Sequence, residues 1–232
     1  MSLLLHLSDT HFGTEQPLVV EALAHLAAQH SPSVVVLSGD ITQRARPAQF
    51  QAARAFADHL CQHGATLLAI PGNHDIALFD LWARFAQPYA RYSAAFGTDL
   101  APVLATPDWL VLGVKTTRRW RHKNGEVSPE QIERVAQALA AASPQQLRVV
   151  VVHQPVAVTR AEDETNLLRG QAEALPIWAA AGADLVLGGH IHLPFVKPVP
   201  DLPRPLWAVQ AGTAVSSRVR RGAPNSVNLL RW

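Results

Sequence analysis

Asp9, His11, Asp40, Asn73, His153, His190 and His192 form an ordered set of oxygen and nitrogen donors along the 232-residue chain. Each follows a short apolar run. Asp9-Thr10-His11 comes after Leu3–Leu7, and Gly39-Asp40 after Val34–Leu37. Gly72-Asn73-His74-Asp75 comes after Thr66–Ile70, His153 after Leu147–Val152, and Gly189-His190-Ile191-His192 after Asp184–Leu187. Carboxylate oxygen and imidazole nitrogen suit Mn, Fe, Zn and Ni, and the lack of a cysteine ligand argues against a structural zinc site. Asp-x-His and His-x-His are useful at a strand end, because alternate residues of an extended backbone point the same way. Each fragment alone is weak, since a single histidine after a strand is more often a cap or an ordinary hydrogen-bonded residue. Their shared context is what matters. In a parallel α/β sheet the carboxyl ends of the strands gather at one edge, where ligands bind.

The elements needed to gather them are legible. Leu3–Leu7, Val34–Leu37 and Thr66–Ile70 read as strands. Between them, Pro17–Gln29 and Pro47–Gln62 show helical spacing, with proline suited to the first turn. This βαβαβ start predicts a largely parallel sheet. Residues 76–101 break the rhythm with Phe79, Trp82, Phe85, Tyr89, Tyr92 and Phe96. They read as a helical insertion beside the site, serving either as a satellite core or as a substrate lid. Val103–Ala105 and Trp109–Val114 read as paired strands. Ser128-Pro129-Glu130-Gln131 opens a helix to Ala142 with a capping-box pattern. Leu147–Val152 and Asp184–Leu187 are strands, and Gln171–Ala181 is a helix. Phe195–Lys197, Leu206–Gln210 and Val227–Leu230 read as further strands forming a second sheet. Cys61 lies in an apolar helical pattern and reads as packing.

Taken in order, D-x-H at 9–11, GD at 39–40, GNHD at 72–75, the histidine at 153 and GHIH at 189–192 resemble the calcineurin-like metallophosphoesterase family. The segments Leu37-Ser38-Gly39-Asp40-Ile41-Thr42-Gln43, Pro71-Gly72-Asn73-His74-Asp75 and Gly189-His190-Ile191-His192 look most like its bacterial branch with class III cyclic-nucleotide phosphodiesterases. The resemblance implies an α/β fold with two mixed sheets in a four-layer αββα sandwich. It implies two divalent metal ions, Mn²⁺ or Fe²⁺/Fe³⁺, with Zn²⁺ also admitted by the donor set. Asp9, His11 and His192 would hold one ion, Asn73, His153 and His190 the other, and Asp40 would bridge them. A bridging hydroxide would then attack a phosphodiester. His74, next to a ligand but not itself one, would protonate the leaving oxygen or stabilise the phosphoryl charge. Asp75 would orient His74 or cap the following segment.

Apolar residues at 48% and charged residues at 16% describe a globular chain, read as one domain over residues 1–232. The net charge of +2 admits an anionic substrate without the basic stripe of a nucleic-acid binder. One cysteine, no targeting pattern and no apolar run near ~20 residues lead to the expectation of a cytoplasmic protein without a membrane partner. The expected substrate is a small phosphate ester, with 3′,5′-cyclic nucleotides the first candidate. Arg118, Arg119 and Arg121, flanking Trp120, are candidate substrate contacts, because arginine and tryptophan both stack on bases and arginine binds phosphate. His6 is read as packing or as orienting a ligand. His25, His30, His59 and His63 are read as solvated, and Arg218, Arg220 and Arg221 receive no role. A phosphomonoesterase or nucleotide pyrophosphatase on the same scaffold is the alternative. A non-catalytic protein-binding scaffold is a third reading, disfavoured because the ligands and His74 are retained.

Overall fold

Strands that are apolar at every position must be covered on both faces, and two stacked sheets between helical layers achieve this. The computed structural model describes residues 2–77, 86–120 and 123–232. The strands are β1 (Leu3–Leu7), β2 (Val34–Leu37), β3 (Thr66–Ala69), β4 (Val103–Ala105), β5 (Trp109–Gly113), β6 (Leu147–Val151), β7 (Leu185–Gly188), β8 (Phe195–Pro198), β9 (Trp207–Gln210) and β10 (Asn228–Arg231). The first sheet has the order β10-β1-β2-β3, with β1, β2 and β3 parallel and β10 antiparallel to β1. The second has the order β4-β5-β6-β7-β9-β8, parallel from β5 to β9 and antiparallel at both edges.

Side-chain alternation then builds three apolar layers. Leu4, Val34, Val36 and Leu68 face Trp109, Val111, Val149 and Val151 between the sheets. Leu5, Leu7, Val35 and Leu37 turn outward under α1 (Pro17–His30) and α2 (Pro47–Leu60). Leu110, Leu112, Val150 and Val186 turn the other way, under α4 (Pro129–Ala140) and α5 (Gln171–Ala181). The expected αββα sandwich is therefore the observed one. The α4 cap is also as expected: Gln131 N–H donates to Ser128 Oγ at 3.3 Å, and Ser128 N–H donates to Gln131 Oε1 at 3.1 Å.

One expectation needs correction. The C-terminal strands do not make a sheet of their own. Strands β8 and β9 extend the sheet of β4–β7, while β10 crosses back to pair with β1, Leu4 opposite Leu230. Apolar alternation marks a strand but carries no information about its neighbour. Of the aromatic insertion, Phe79, Trp82 and Phe85 lie outside the described residues. Within α3 (Ala90–Phe96), Tyr92 is fully buried, stacks on Phe96 at 5.5 Å and meets Phe50 of α2 edge-on at 6.3 Å. This part of the insertion is satellite core. Cys61 is half-buried against the same cluster, in keeping with a packing role. No helix among the described residues is long and apolar enough to cross a membrane.

Trp109 fills the space between the sheets with no exposed surface, and its indole N–H donates to Ser2 Oγ at 2.6 Å. Trp109→Ala is expected to lower unfolding free energy by about 3–5 kcal/mol, as cores lose both burial and packing on such truncation. Denaturant unfolding monitored by circular dichroism would check this; a loss below about 1 kcal/mol would contradict it.

Candidate metal centre

The carboxyl ends of β1, β2, β3, β6 and β7 all reach the same edge of the sandwich, and the donors meet there. Their backbone geometry is unusual. Asp9, His11, Asp40, His190 and His192 all have positive φ, between 42° and 72°. For residues with a Cβ this left-handed region costs roughly 1 kcal/mol or more each. It persists because the loops fix one another. Asp9 N–H donates to Gly39 O and His11 N–H to Asp40 O, each at 3.0 Å. His190 N–H donates to Asp9 Oδ2 at 2.8 Å, and His74 N–H to Asp40 Oδ1 at 2.8 Å.

Two glycines allow this closeness. A Cβ on Gly72 would lie 2.0 Å from the Asp40 backbone nitrogen, and one on Gly189 would lie 1.8 Å from Ser8 Oγ. No side chain fits at either place.

The donors converge in two groups. Asp9 Oδ1 lies 3.2 Å from His192 Nε2 and 3.7 Å from His11 Nε2, while the two imidazole nitrogens are 3.1 Å apart. Beside them, Asn73 Oδ1 lies 3.0 Å from His153 Nε2 and 2.9 Å from His190 Nδ1. Asp40 sits between, with Oδ1 3.3 Å from His153 Nε2 and Oδ2 3.8 Å from His11 Nε2. Three ligand-capable groups result: Asp9, His11 and His192; Asp40, His153 and His190; and His11, Asp40 and His74.

Second contacts set the ring orientations. The Nδ1–H of His153 donates to Ser38 O at 2.9 Å, that of His192 to Arg218 O at 2.6 Å, and that of His74 to Gln43 O at 3.0 Å. Backbone carbonyls can only accept, so each ring presents its Nε2 to the cluster. His6 is buried with Nε2 2.9 Å from Ser38 Oγ, one residue pair behind the ligands. Burial drives its pKa to about 3, against the pull of Asp9, so it is neutral.

Asp9 and Asp40 are 0% and 2% exposed. Burial works to raise both, but surrounding imidazoles win. His192 and His11 hold Asp9 well below the usual carboxylate range, and His153, His74 and His11 do so for Asp40. His153 answers in kind: burial pushes it down, and Asp40 lifts it to about 9. His190, under burial and the neighbouring His153, falls to about 3. Asp9 Oδ1 is also buried without a hydrogen-bond partner. Two ionised carboxylates, an orphaned oxygen and converging lone pairs fit cations, which would take the place of the proton on His153.

Asp75 caps its own turn through Gly72 N–H and also reaches the loop after β2. Its carboxylate accepts from Gly72 N, Ile41 N, Thr42 N and Thr42 Oγ1 at 2.8 to 3.1 Å. It clamps the loop after β3 to the loop after β2, whereas the His74 ring is oriented by Gln43. Burial and nearby Asp40 raise Asp75 to about 6, against these hydrogen bonds.

Above the cluster opens a cleft of about 670 Å³, whose wall includes His74, Lys123, Asp163, Arg218 and Arg220. Arg118 and Arg119 line a separate cavity of about 240 Å³ with Tyr89, Lys115 and Trp120. Arg118 donates to Lys115 O, Thr117 O and Gln131 Oε1. Arg121 lies outside the described residues. Arg218, to which the sequence assigns no role, follows β9, whose parallel pairing with β7 places the carboxyl end of that strand at the ligand edge.

Residues 3–194 match the family model of the calcineurin-like phosphoesterases, and the chain belongs to that family. A cAMP/cGMP dual specificity phosphodiesterase of Mycobacterium tuberculosis is 27% identical over 203 residues, covering 82% of this chain and 61% of the relative. A probable cyclic nucleotide phosphodiesterase of Synechococcus is 27% identical over 170 residues, covering 73% of this chain and 61% of the relative. The chain thus spans about 61% of the length of both curated relatives. A dimetal phosphatase from Danio rerio superposes with a TM-score of 0.68 at 14% identity, over 98% of this chain and 91% of that one. That likeness is one of fold.

Gly72→Ala is expected to push the Asp40 loop off its position and weaken Mn²⁺ binding by about tenfold or more, the scale of lost ligand support. Titration calorimetry would measure it; Mn²⁺ affinity equal to that of the unaltered protein would show that the loop contact is not required.

Proposed function

We propose that the chain is a dinuclear metal-dependent phosphodiesterase acting on small diesters, with 3′,5′-cyclic nucleotides as the leading class. The observation that carries this reading is the burial of two ionised carboxylates among imidazoles whose Nε2 atoms converge on them. Asp9, His11 and His192 would hold one divalent ion and Asn73, His153 and His190 the second, with Asp40 shared. Divalent ions bound there would supply Lewis acidity toward a phosphoryl oxygen and water of lowered pKa. Manganese or iron suits the donors, and zinc is compatible with them.

The chain's own residues would do the rest. The cleft volume of about 670 Å³ is of the size that holds a nucleotide-sized ligand. His74, with Nδ1 fixed on Gln43 O, has Nε2 as the atom that can carry a proton to the leaving oxygen. Asp75 would act as the brace that keeps the loops of Asp40 and His74 together. The names of the two phosphodiesterase relatives support a diester substrate.

Two measurements test this. Protein loaded with Mn²⁺ should hold two ions per chain and hydrolyse bis-p-nitrophenyl phosphate and 3′,5′-cyclic AMP faster than p-nitrophenyl phosphate. Preference for the monoester would move the activity to phosphomonoester hydrolysis, and inactivity on all three would end the enzymatic reading. His74→Ala should retain both ions and lose roughly 10²–10⁴-fold in turnover, the usual scale of general acid catalysis. Loss of one ion in that variant would instead make His74 a ligand with His11 and Asp40.

A further inference from the structure

Three arginines of the described chain illustrate how a guanidinium is normally neutralised. Arg54 pairs with Asp58, Arg204 with Asp184, and Arg220 with both Asp163 and Glu162. Arg218, two residues before Arg220, differs. Among the described residues it has no carboxylate partner. Its Nη1 donates to Gln43 Oε1 at 2.8 Å and lies 3.4 Å from both His74 Nε2 and His11 Nδ1. A guanidinium has five N–H donors in a planar fork, and its partners among the described residues engage a single nitrogen.

The side chain is half-buried in the wall of the cleft, and its backbone is fixed at two points. Arg218 N–H donates to Ser216 Oγ at 3.0 Å, and Arg218 O accepts from His192 Nδ1 at 2.6 Å. The loop that orients a candidate ligand through its carbonyl therefore aims a cation into the cleft through its side chain. A His11 that gave its Nε2 lone pair to a cation would carry hydrogen on Nδ1 and would not accept from Arg218. The guanidinium would then be still less satisfied.

A partly desolvated guanidinium without a carboxylate partner among the described residues, set in the cleft wall beside the His74 ring, is built for an anion. We propose that Arg218 is a substrate-contacting residue whose free N–H groups take a non-bridging phosphoryl oxygen, on the side of the cleft that faces His74. The assignment deepens the phosphoesterase reading and rests on it for the identity of the anion. The part of the substrate it recognises is the phosphoryl group itself, shared by diesters, monoesters and the phosphate product.

Inorganic phosphate is therefore the direct probe. Binding of phosphate to the full-length, Mn²⁺-loaded protein would be followed by titration calorimetry, with metal content determined on the same samples. Arg218→Ala and Arg218→Met, the latter keeping the apolar stem, should retain full metal content and bind phosphate about 10- to 100-fold more weakly, the scale of a lost charge-assisted hydrogen bond. The same variants should lose kcat/KM on bis-p-nitrophenyl phosphate to a similar degree. Phosphate binding within twofold of the unaltered protein in either fully loaded variant overturns the proposal. So does loss of metal from both, which would reduce Arg218 to a support for His192, and so does the absence of phosphate binding by the unaltered protein. If the unaltered protein binds phosphate, yet hydrolyses no ester, the enzymatic reading fails alone and the binding comparison still decides the role of Arg218.

Discussion

The rest of the site depends on one constraint: two ionised carboxylates, Asp9 and Asp40, are held out of water at the junction of two sheets. An isolated carboxylate in such a place would take up a proton. Here it does not, because imidazoles surround each one and lend positive charge or accept a cation in its place. The same crowding leaves Asp9 Oδ1 without a hydrogen bond. The cluster is thus stable as a charged unit and incomplete as a hydrogen-bonded one, which is the electrostatic condition for holding metal.

Keeping such a unit assembled places demands on the scaffold. The five donors with positive φ sit on turns that would relax if released. They are held by contacts between loops: Asp75 ties the turn after β3 to that after β2, Ser38 and Arg218 carbonyls fix His153 and His192, and Arg220 reaches the Ile191 carbonyl at 3.3 Å. Behind these turns lie strands that are apolar on both faces and packed in three layers. Rigid strands absorb the local strain, so positional precision at the edge derives from burial in the middle. The cleft adds a second level of asymmetry. Asp163 of its wall, with neighbouring Glu162, pairs with Arg220, while Arg218, beside His74 and His11, has no carboxylate partner among the described residues.

Much of this was written locally in the chain. The strands β1, β2 and β3, the helices α1 and α2 and the α4 capping box followed from periodicity and capping chemistry, with ends shifted by only a residue or two. The seven donors were legible because each stands at the end of an apolar run, where a parallel sheet gathers ligands. Their separation into neighbouring groups came only from the family resemblance and not from the spacing of the residues, and the role of Asp75 as a clamp was not legible. Both depend on which loops touch.

The sequence by itself determined the donor types, their order, and the α/β alternation that brings them to a common edge. These are properties of residues and of short-range spacing. Tertiary structure alone decided that β10 returns to β1, that β9 runs parallel to β7, and that Arg218 consequently stands over His74 while Arg118 and Arg119 line another cavity. Strand partnership is chosen by packing between distant segments, and an apolar strand offers the same two faces to any partner. A basic loop residue carries no mark of the wall it will face until that choice is made.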